Sequence, residues 1–270
     1  MSLKLSYPVT TPDCTVDIMA WRAPYEEVFP KLKEFGYEAV ELLVRDPASV
    51  DKERLDNALA QNGLVLSMIG TTPMQREDHL FLMDMDENKR KEAAKRLCGL
   101  ADLAAYFKVP FVVGKYRGTV SDEPGCSLEN LALLLKEADC KAGEAGITLL
   151  VEPQNPANIN NLNTVGETVE WIESAGLQNT KLLMDLYHMD VTEESITDSL
   201  RKYKEYCCRI HLSDTERKAP GQGKLNFALI LRTLEEIGFD GYASAEIKQD
   251  PDSERAAEMT AKAIKDLEQV

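Results

Sequence analysis

Long apolar runs are missing from this 270-residue chain. No stretch approaches the roughly 18 consecutive apolar residues of a membrane-spanning helix, and residues 1–5 lack the apolar core of a signal peptide. Basic residues are also scarce: 31 Lys and Arg stand against 46 Asp and Glu, a net charge of -15. Because nucleic acids and anionic membranes attract basic surfaces, we expect neither as a partner. The sequence predicts a soluble, cytoplasmic protein.

Cysteine and glycine motifs are absent too. The six cysteines include no CxxC pair, and Cys207 and Cys208 are adjacent, which argues against a zinc ribbon or a disulfide framework. We therefore expect buried, free thiols. The first apolar run is followed by residues 10–13 (TTPD) and not by a GxGxxG turn, which disfavours a dinucleotide-binding doubly wound sheet.

Short apolar runs alternate with longer segments of helical periodicity along the whole chain. The apolar runs are residues 3–9, 37–44, 64–70, 109–115, 147–152, 181–186, 208–213 and 242–247. The clearest helical segments are residues 25–35, 87–107, 128–145, 165–175, 227–237 and 253–267. Such alternation indicates parallel strands joined by right-handed crossovers. Eight units in about 250 residues predict a single (β/α)8 barrel domain over residues 1–270, with its active site at the C-terminal ends of the strands.

Each of the last four predicted strands ends in one potential metal ligand. These residues are Glu152, Asp185, His211 and Glu246. Because strand ends share one rim of a barrel, we expect the four side chains to point inward together. Three carboxylates and an imidazole on a dry rim require a cation, and this donor set favours Mn²⁺ first, then Mg²⁺ or Co²⁺, with Zn²⁺ as a further candidate. The alternative is four ordinary polar groups at strand ends.

Other polar residues near predicted strand ends have two readings each. Lys115 and Arg117, in the loop after the fourth strand, either grip a carboxylate or phosphate of a substrate or are solvated charges. Glu41 ends the second strand and either supports the site or is structural. Lys248 lies two positions after Glu246, on the same side of the strand, and either contacts substrate or is solvated. Tyr7 on the first strand is expected to line the pocket floor.

Several strings around these residues resemble a known family. Residues 185–194 (DLYHMDVTEE) are similar to Asp-x-x-His-Met-Asn-Ile-x-Glu-Glu of the D-tagatose/D-psicose 3-epimerases. Residues 211–223 (HLSDTERKAPGQG) resemble their His-x5-Arg followed by Pro-Gly-x-Gly. Residues 238–242 (GFDGY) and 36–41 (GYEAVE) are typical of the same superfamily. The chain thus resembles the xylose isomerase-like (β/α)8 superfamily of sugar isomerases and epimerases, with hydroxypyruvate isomerase as a second similar branch.

The resemblance implies an isomerase that interconverts ketoses or keto-sugar derivatives by proton abstraction through an enediolate. It implies the same four metal ligands, Glu152 and Glu246 as the acid/base pair, and His188 and Arg217 as holders of substrate oxygens. The expected partner is a small sugar, and members of this branch form homodimers or homotetramers. The segment 220–223 (PGQG) is too short for a phosphate loop and is read as a turn that brings Arg217 over the site.

Departures from the epimerase pattern leave the substrate open. The neutral Asn158 stands where the epimerases place a substrate-gripping glutamate, and residues 114–118 (GKYRG) lack the family's tryptophan. A phosphorylated or carboxylated sugar therefore remains a candidate. The alternatives are an inosose dehydratase-like lyase on the same metal site and a non-catalytic sugar-binding protein. The DNA-repair endonuclease branch is disfavoured, because the chain has three histidines and a charge of -15.

Overall fold

A computed structural model describes residues 3–268 of the chain. Eight parallel strands form a closed barrel in sequence order, with helices between successive strands. The strands are β1 Lys4–Thr10, β2 Ala39–Leu43, β3 Val65–Gly70, β4 Phe111–Val113, β5 Leu149–Val151, β6 Thr180–Asp185, β7 Cys207–His211 and β8 Tyr242–Ser244. This is the predicted (β/α)8 architecture.

Ten α-helices and three short 3-10 turns surround the barrel in the described residues. The helices are α1 Tyr25–Phe35, α2 Lys52–Asn62, α3 Thr72–Arg76, α4 Glu87–Phe107, α5 Leu128–Ala145, α6 Val165–Ala175, α7 Leu186–Thr192, α8 Ile196–Lys202, α9 Phe227–Glu236 and α10 Ser253–Leu267. The 3-10 turns are Pro47–Ser49, Lys115–Arg117 and Thr215–Arg217. None of these helices is long and apolar enough to cross a membrane.

Capping groups fix where the longer helices begin. Helix α6 starts with a capping box, in which the Thr164 hydroxyl accepts the N–H of Glu167 and the Glu167 carboxylate accepts the N–H of Thr164. Helix α1 ends at Gly36, whose φ of 100° is readily adopted by glycine. Because these signals are local, the predicted bounds of α1, α4, α5, α6 and α10 agree with the structure, and α9 ends one residue earlier than predicted.

The barrel separates two apolar layers. A small inner cluster fills the barrel and consists of Met68, Val112, Leu150 and Leu183. A much larger cluster lies between the strands and the helices and includes Leu5, Tyr7 and Val9 of β1. Side chains alternate along each strand, so the residues between those of the inner layer face outward. This alternation decides which polar side chains reach the interior of the barrel.

The six cysteines are free, as expected, but their burial differs from the expectation. Only Cys14 and Cys126 are fully buried, whereas Cys140 is exposed on α5. Burial raises the pKa of the Cys208 thiol, which disfavours the thiolate form needed for thiol chemistry.

Candidate metal centre

The four predicted ligands converge at the C-terminal rim of the barrel. Glu152 directly follows β5, Asp185 ends β6, His211 ends β7 and Glu246 lies two residues after β8. One ligand atom from each side chain lies within 4.8 Å of the other three. His211 Nδ1 is 3.5 Å from Glu152 Oε1, 3.4 Å from Asp185 Oδ2 and 3.3 Å from Glu246 Oε2. All four residues are buried.

A buried carboxylate on β2 orients the imidazole of His211. His211 Nε2 lies 3.1 Å from Glu41 Oε2, and the Ser244 hydroxyl donates to the same oxygen at 2.6 Å. These neighbours assign a proton to Nε2, so Nδ1 faces the other three ligands. Glu41, whose role the sequence left open, is therefore a residue that positions a predicted metal ligand.

Two polar atoms of the cluster are buried without a hydrogen-bond partner in the described part of the chain. They are His211 Nδ1 and Glu152 Oε1. Buried polar atoms without partners are costly, and here both point toward the same small volume. Three carboxylates and one imidazole nitrogen around that volume form a donor set that fits a divalent cation. The residues present therefore match the predicted metal site.

The pKa values of the clustered side chains also show a site with an excess of negative charge. Burial alone would lower the pKa of His211, but the carboxylates of Glu41 and Glu246 outweigh it and raise this pKa well above its ordinary value. Burial would raise the pKa of Asp185, but the guanidinium of Arg217 overrides it, so that this pKa is lowered. The pKa of Glu246 is lowered for the same reason. Asp185 and Glu246 are thus held in the ionised form that binds metals.

Arg217 extends from a distorted 3-10 turn into this cluster. Glu216 and Arg217 have φ values of 61° and 60°, a left-handed conformation uncommon outside glycine. The guanidinium lies 2.5 Å from Asp185 Oδ2 and 3.0 Å from Glu246 Oε2. Its other amino group is 3.0 Å from His188 Nε2. The structure therefore places Arg217 at the candidate metal centre, with His188 in contact with it.

His188 lies behind Arg217 and is almost fully buried. Its Nδ1 accepts the backbone N–H of Asn155 at 3.3 Å and faces the Asn155 side-chain amide at 2.9 Å. Burial lowers the pKa of His188, which favours the neutral imidazole. In this arrangement the guanidinium of Arg217 lies between His188 and the cavity. The predicted contact of His188 with a substrate therefore stays a prediction.

The loop that carries Arg217 closes around the buried carboxylate of Asp214. Asp214 Oδ2 accepts the N–H of Gly221 at 3.0 Å and that of Gly223 at 2.8 Å. Its Oδ1 accepts the N–H of the following residue at 2.7 Å and that of Leu225 at 3.0 Å. Position 223 requires glycine, because a Cβ there would overlap the carboxylate. The predicted Pro-Gly-Gln-Gly turn is thus built around an internal anion.

A cavity of about 470 Å³ opens above the candidate metal centre, within the size range of sites for small molecules. The predicted ligands Glu152, His211 and Glu246 lie on its floor together with Arg217. Gln154, Asn158 and Gln249 contribute neutral polar groups from the surrounding loops. Gln154 and Gln249 are site residues that sequence reasoning missed, although Gln154 follows the predicted ligand Glu152 by two positions and so shares its side of the strand extension. The basic residues Arg76, Lys115 and Lys248 complete the lining.

Tyr7 does not line this cavity, and the expectation that it forms the pocket floor is wrong. Its ring is fully buried in the outer layer, edge-on to Trp21 and Tyr37 with centroid distances of 6.4 and 5.3 Å. Alternation along β1 turns Ser6 toward the barrel interior, where it bonds Ser67 at 2.7 Å, and turns Tyr7 toward the helices. The Tyr7 hydroxyl reaches the site only indirectly, through Gln249 Oε1 at 3.2 Å.

Both predictions for Arg117, a contact with a substrate anion and a solvated loop charge, are wrong. The residue neither lines the cavity nor is exposed. Its guanidinium is fully buried and donates to the carbonyl oxygens of Gly114, Glu152, Asn161 and Leu162, and to the side-chain oxygen of Asn161. Burial lowers the pKa of Arg117 to about 10. Arg117 thereby ties the loops after β4 and β5 to the backbone of Glu152, a predicted metal ligand. Lys115, two residues earlier, is half-buried and does line the cavity.

Comparisons with known proteins agree with this geometry. Residues 29–267 match the family described as "Xylose isomerase-like TIM barrel". A D-psicose 3-epimerase of Enterocloster bolteae is 26% identical over 243 residues, which cover 84% of this chain and 77% of that protein. A hydroxypyruvate isomerase of Escherichia coli is 24% identical over 232 residues, which cover 82% of this chain and 86% of that protein.

A solved structure shows the same fold. The apo crystal structure of 3-keto-D-glucoside 4-epimerase from E. coli matches with a TM-score of 0.76 at 18% identity, and the match covers 100% of both chains. The relatives carry the names of epimerases and isomerases, in agreement with the enzyme class expected from the sequence. On the match over residues 29–267, this chain belongs to the xylose isomerase-like TIM-barrel family.

Proposed function

We propose that this protein is a divalent-metal-dependent isomerase or epimerase of small ketoses or keto-sugar derivatives. The observation that carries the proposal is the convergence of three buried carboxylates and His211 Nδ1 on the floor of a cavity of about 470 Å³. The names of the relatives, D-psicose 3-epimerase and hydroxypyruvate isomerase, support a substrate with a hydroxyl group next to a carbonyl.

Four residues would hold the cation, namely Glu152, Asp185, His211 and Glu246. Mn²⁺ is our first choice, because three oxygen donors and one imidazole nitrogen suit it well. A divalent ion bound there polarises the carbonyl and hydroxyl oxygens of a substrate and makes the adjoining C–H bond more acidic. Glu41 fixes the His211 ring through its 3.1 Å contact with Nε2 and so keeps the donor set in place.

Glu152 and Glu246 are proposed as the two proton-transfer groups. They enter the floor from β5 and from the segment after β8, so they approach a bound substrate from different sides. One carboxylate accepts the proton from the carbon next to the carbonyl, and the other donates a proton to the opposite face, which inverts that carbon. Return of the proton to the neighbouring carbon gives aldose–ketose isomerisation instead. The Gln154 amide donates to Glu152 Oε2 and so fixes the orientation of this carboxylate, whose Oε1 faces His211 Nδ1.

Arg217 is proposed to hold the substrate oxygens, with His188 packed behind it. The Arg217 guanidinium lines the cavity and presents several N–H donors next to Asp185 and Glu246. His188 Nε2 lies 3.0 Å from the guanidinium, on the side away from the cavity. A guanidinium at this point stabilises the negative charge that develops on the substrate oxygens as the proton leaves.

Hydrogen exchange in D₂O tests the proposal. Protein freed of metal with a chelator is loaded with Mn²⁺ and incubated with D-psicose, D-tagatose, L-ribulose or hydroxypyruvate, and deuterium is located by NMR. We expect metal-dependent incorporation at one carbon and loss of at least about 100-fold of the exchange rate in Glu152→Gln and Glu246→Gln. Glu194→Gln, an exposed carboxylate on the loop after α7, serves as the control and should exchange like the wild type.

Three other outcomes would overturn the proposal. Exchange that is unchanged by the chelator would contradict the metal dependence. Loss of water from the substrate without an epimer or isomer would identify a lyase of the inosose dehydratase type. Binding of a sugar with no exchange in the wild type or in either glutamine variant would identify a non-catalytic binding protein.

A further inference from the structure

We propose that the rim of this cavity is a subsite for an anionic group of the substrate, a phosphate or a carboxylate, and that Lys115 is its principal contact. The inference rests on the proposed function, because it concerns the part of the same substrate that projects away from the metal centre. It adds a substrate class and a specificity-determining residue to that function.

The charge on the rim is opposite to that of the whole chain. The protein has a net charge of -15, yet the side chains that line the cavity outside its floor include Arg76, Lys115 and Lys248. The acidic side chain among them is Asp17, and its carboxylate is paired with Arg22 at 3.0 Å. Low-dielectric walls around a cleft focus the field of such a group of charges. The rim therefore offers an anion local attraction that the protein as a whole does not.

The acidic residues of the floor do not neutralise this rim. Glu41 is occupied by His211 and Ser244, and Glu246 by Arg217. The Lys115 ammonium and the Arg76 guanidinium have no hydrogen-bond or ion-pair partner within residues 3–268. The Lys115 side chain is half-buried at the cavity wall, and an anionic oxygen of a substrate would give its ammonium a charge-assisted hydrogen bond.

The backbone at Lys115 is held rigidly beside the proposed reaction centre. The preceding residue, Gly114, approaches Glu152 so closely that a Cβ there would overlap Glu152 Oε2. The two residues after Lys115 are both anchored: the Tyr116 hydroxyl donates to the carbonyl of Ala93 at 2.9 Å, and the Arg117 guanidinium is fully bonded. In the turn Lys115–Arg117, Lys115 is the residue whose charged end remains available. Its position close to the metal-ligand carboxylate suits a contact with a small substrate.

The two other basic residues of the rim, Arg76 and Lys248, are less suited than Lys115 to contact the anion directly. Arg76 ends α3 and is exposed, although ion pairs from Arg45 to Glu77 at 2.6 Å and to Asp78 at 2.9 Å hold the residues that follow it. Lys248 is exposed, and its charge contributes to a lowered pKa of Glu216, whose main cause is a hydrogen bond from Lys218. Both residues add to the field of the rim, and Lys115 makes the direct contact.

Paired substrates test the subsite on the Mn²⁺-loaded enzyme. Each neutral ketose is compared with its phosphate ester, L-ribulose with L-ribulose 5-phosphate and D-psicose with D-psicose 6-phosphate, and hydroxypyruvate supplies the carboxylate. We expect kcat/KM for an anionic substrate to exceed that for the neutral ketoses by at least about 10-fold. Lys115→Met should lower the anionic value by about 10- to 100-fold and change the neutral values by less than about threefold.

Two control variants and the dependence of kcat/KM on NaCl concentration test whether the effect is due to the charge of Lys115. Lys115→Arg keeps the charge and should retain most of the activity on the anionic substrate. Lys262→Met removes an exposed lysine of α10, far from the cavity, and should have no effect. Raising the NaCl concentration should reduce kcat/KM for the anionic substrate alone, because it screens the rim. Preference for the phosphate esters or for hydroxypyruvate identifies the anion.

The possible failures are distinguishable. Equal kcat/KM values for neutral and anionic substrates, with no effect of Lys115→Met on either, would overturn the anionic subsite and leave the proposed isomerase intact. No metal-dependent deuterium exchange with any of these substrates would overturn the proposed function itself. If Lys115→Met does not fold, competitive inhibition by inorganic phosphate is measured for the wild type and for Lys248→Met. Inhibition of the wild type that weakens in Lys248→Met supports the subsite. Absence of inhibition in the wild type contradicts the subsite.

Discussion

Replacing Glu41 with glutamine tests whether this buried carboxylate holds His211 in its metal-binding orientation. The carboxylate accepts two hydrogen bonds on one oxygen, from His211 Nε2 at 3.1 Å and from the Ser244 hydroxyl at 2.6 Å. Glutamine has nearly the same shape but no charge, so it orients the ring less firmly and makes Nδ1 a poorer donor. Loss of such a supporting carboxylate typically costs about 10- to 100-fold in metal affinity, or about 1.4 to 2.7 kcal/mol.

This loss can be measured in two ways. Calorimetric titration of chelator-treated protein with Mn²⁺ should show the weaker Kd directly. With metal in excess, the Tm of Glu41→Gln should fall by roughly 3 to 10 °C more than it does without metal, because bound metal stabilises only the folded state. Asp139→Asn is the matched control: it removes another buried carboxylate, bonded to the N–H of Asn179 at 2.8 Å, and should change stability without changing the Kd for Mn²⁺. An unchanged Kd for Mn²⁺ in Glu41→Gln would refute the argument.

Three further substitutions probe the framework of the site. Arg117→Met leaves several buried oxygens unpaired and should lower the free energy of unfolding in urea by at least about 3 kcal/mol; a loss under about 1 kcal/mol would contradict the tethering role. Gly114→Ala places a Cβ against Glu152 Oε2, so this carboxylate must shift and kcat should fall by about 100-fold; wild-type kcat would show that the carboxylate need not stay there. Burial would raise the pKa of Asp78, but Arg45 and Arg96 lower it, so its contribution to stability is present above about pH 4 and is lost as the pH falls further. The stability difference between wild type and Asp78→Asn should therefore be larger at pH 7 than at pH 3, and a constant difference would count against the ion pairs.

Most of the fold could be predicted from local signals in the sequence. Helix starts such as the capping box at Thr164 act within one turn, so their positions are visible in the chain itself. The strand limits were less accurate: the predicted run 147–152 pairs only over Leu149–Val151, because pairing depends on the neighbouring strands. The short helix Leu186–Thr192 went unnoticed, although Asp185 caps it by accepting the N–H of Tyr187 at 2.8 Å.

Site residues could be predicted where their position on a strand decides whether the side chain points into the barrel or toward the helices. The four ligands meet this condition, since each lies at a strand end whose inward side is fixed by alternation. Tyr7 could have been placed correctly by the same rule, because it shares a face with the apolar Leu5 and Val9. Arg117 could not, because its partners are mostly backbone carbonyls, which carry no sequence signature.

The turn around Asp214 has a consequence for how the protein can recognise anions. Four backbone N–H groups converge there on one carboxylate, an arrangement that in other proteins surrounds a bound phosphate. Because the chain supplies its own anion, these amides are already satisfied and cannot receive one from solution. This turn therefore leaves an anionic substrate to side chains of the cavity such as Lys115, for which a small shift in the ligand's position costs little. Single substitutions of side chains at the rim should therefore be enough to change which substrates the protein accepts, with no change in the backbone of the loops.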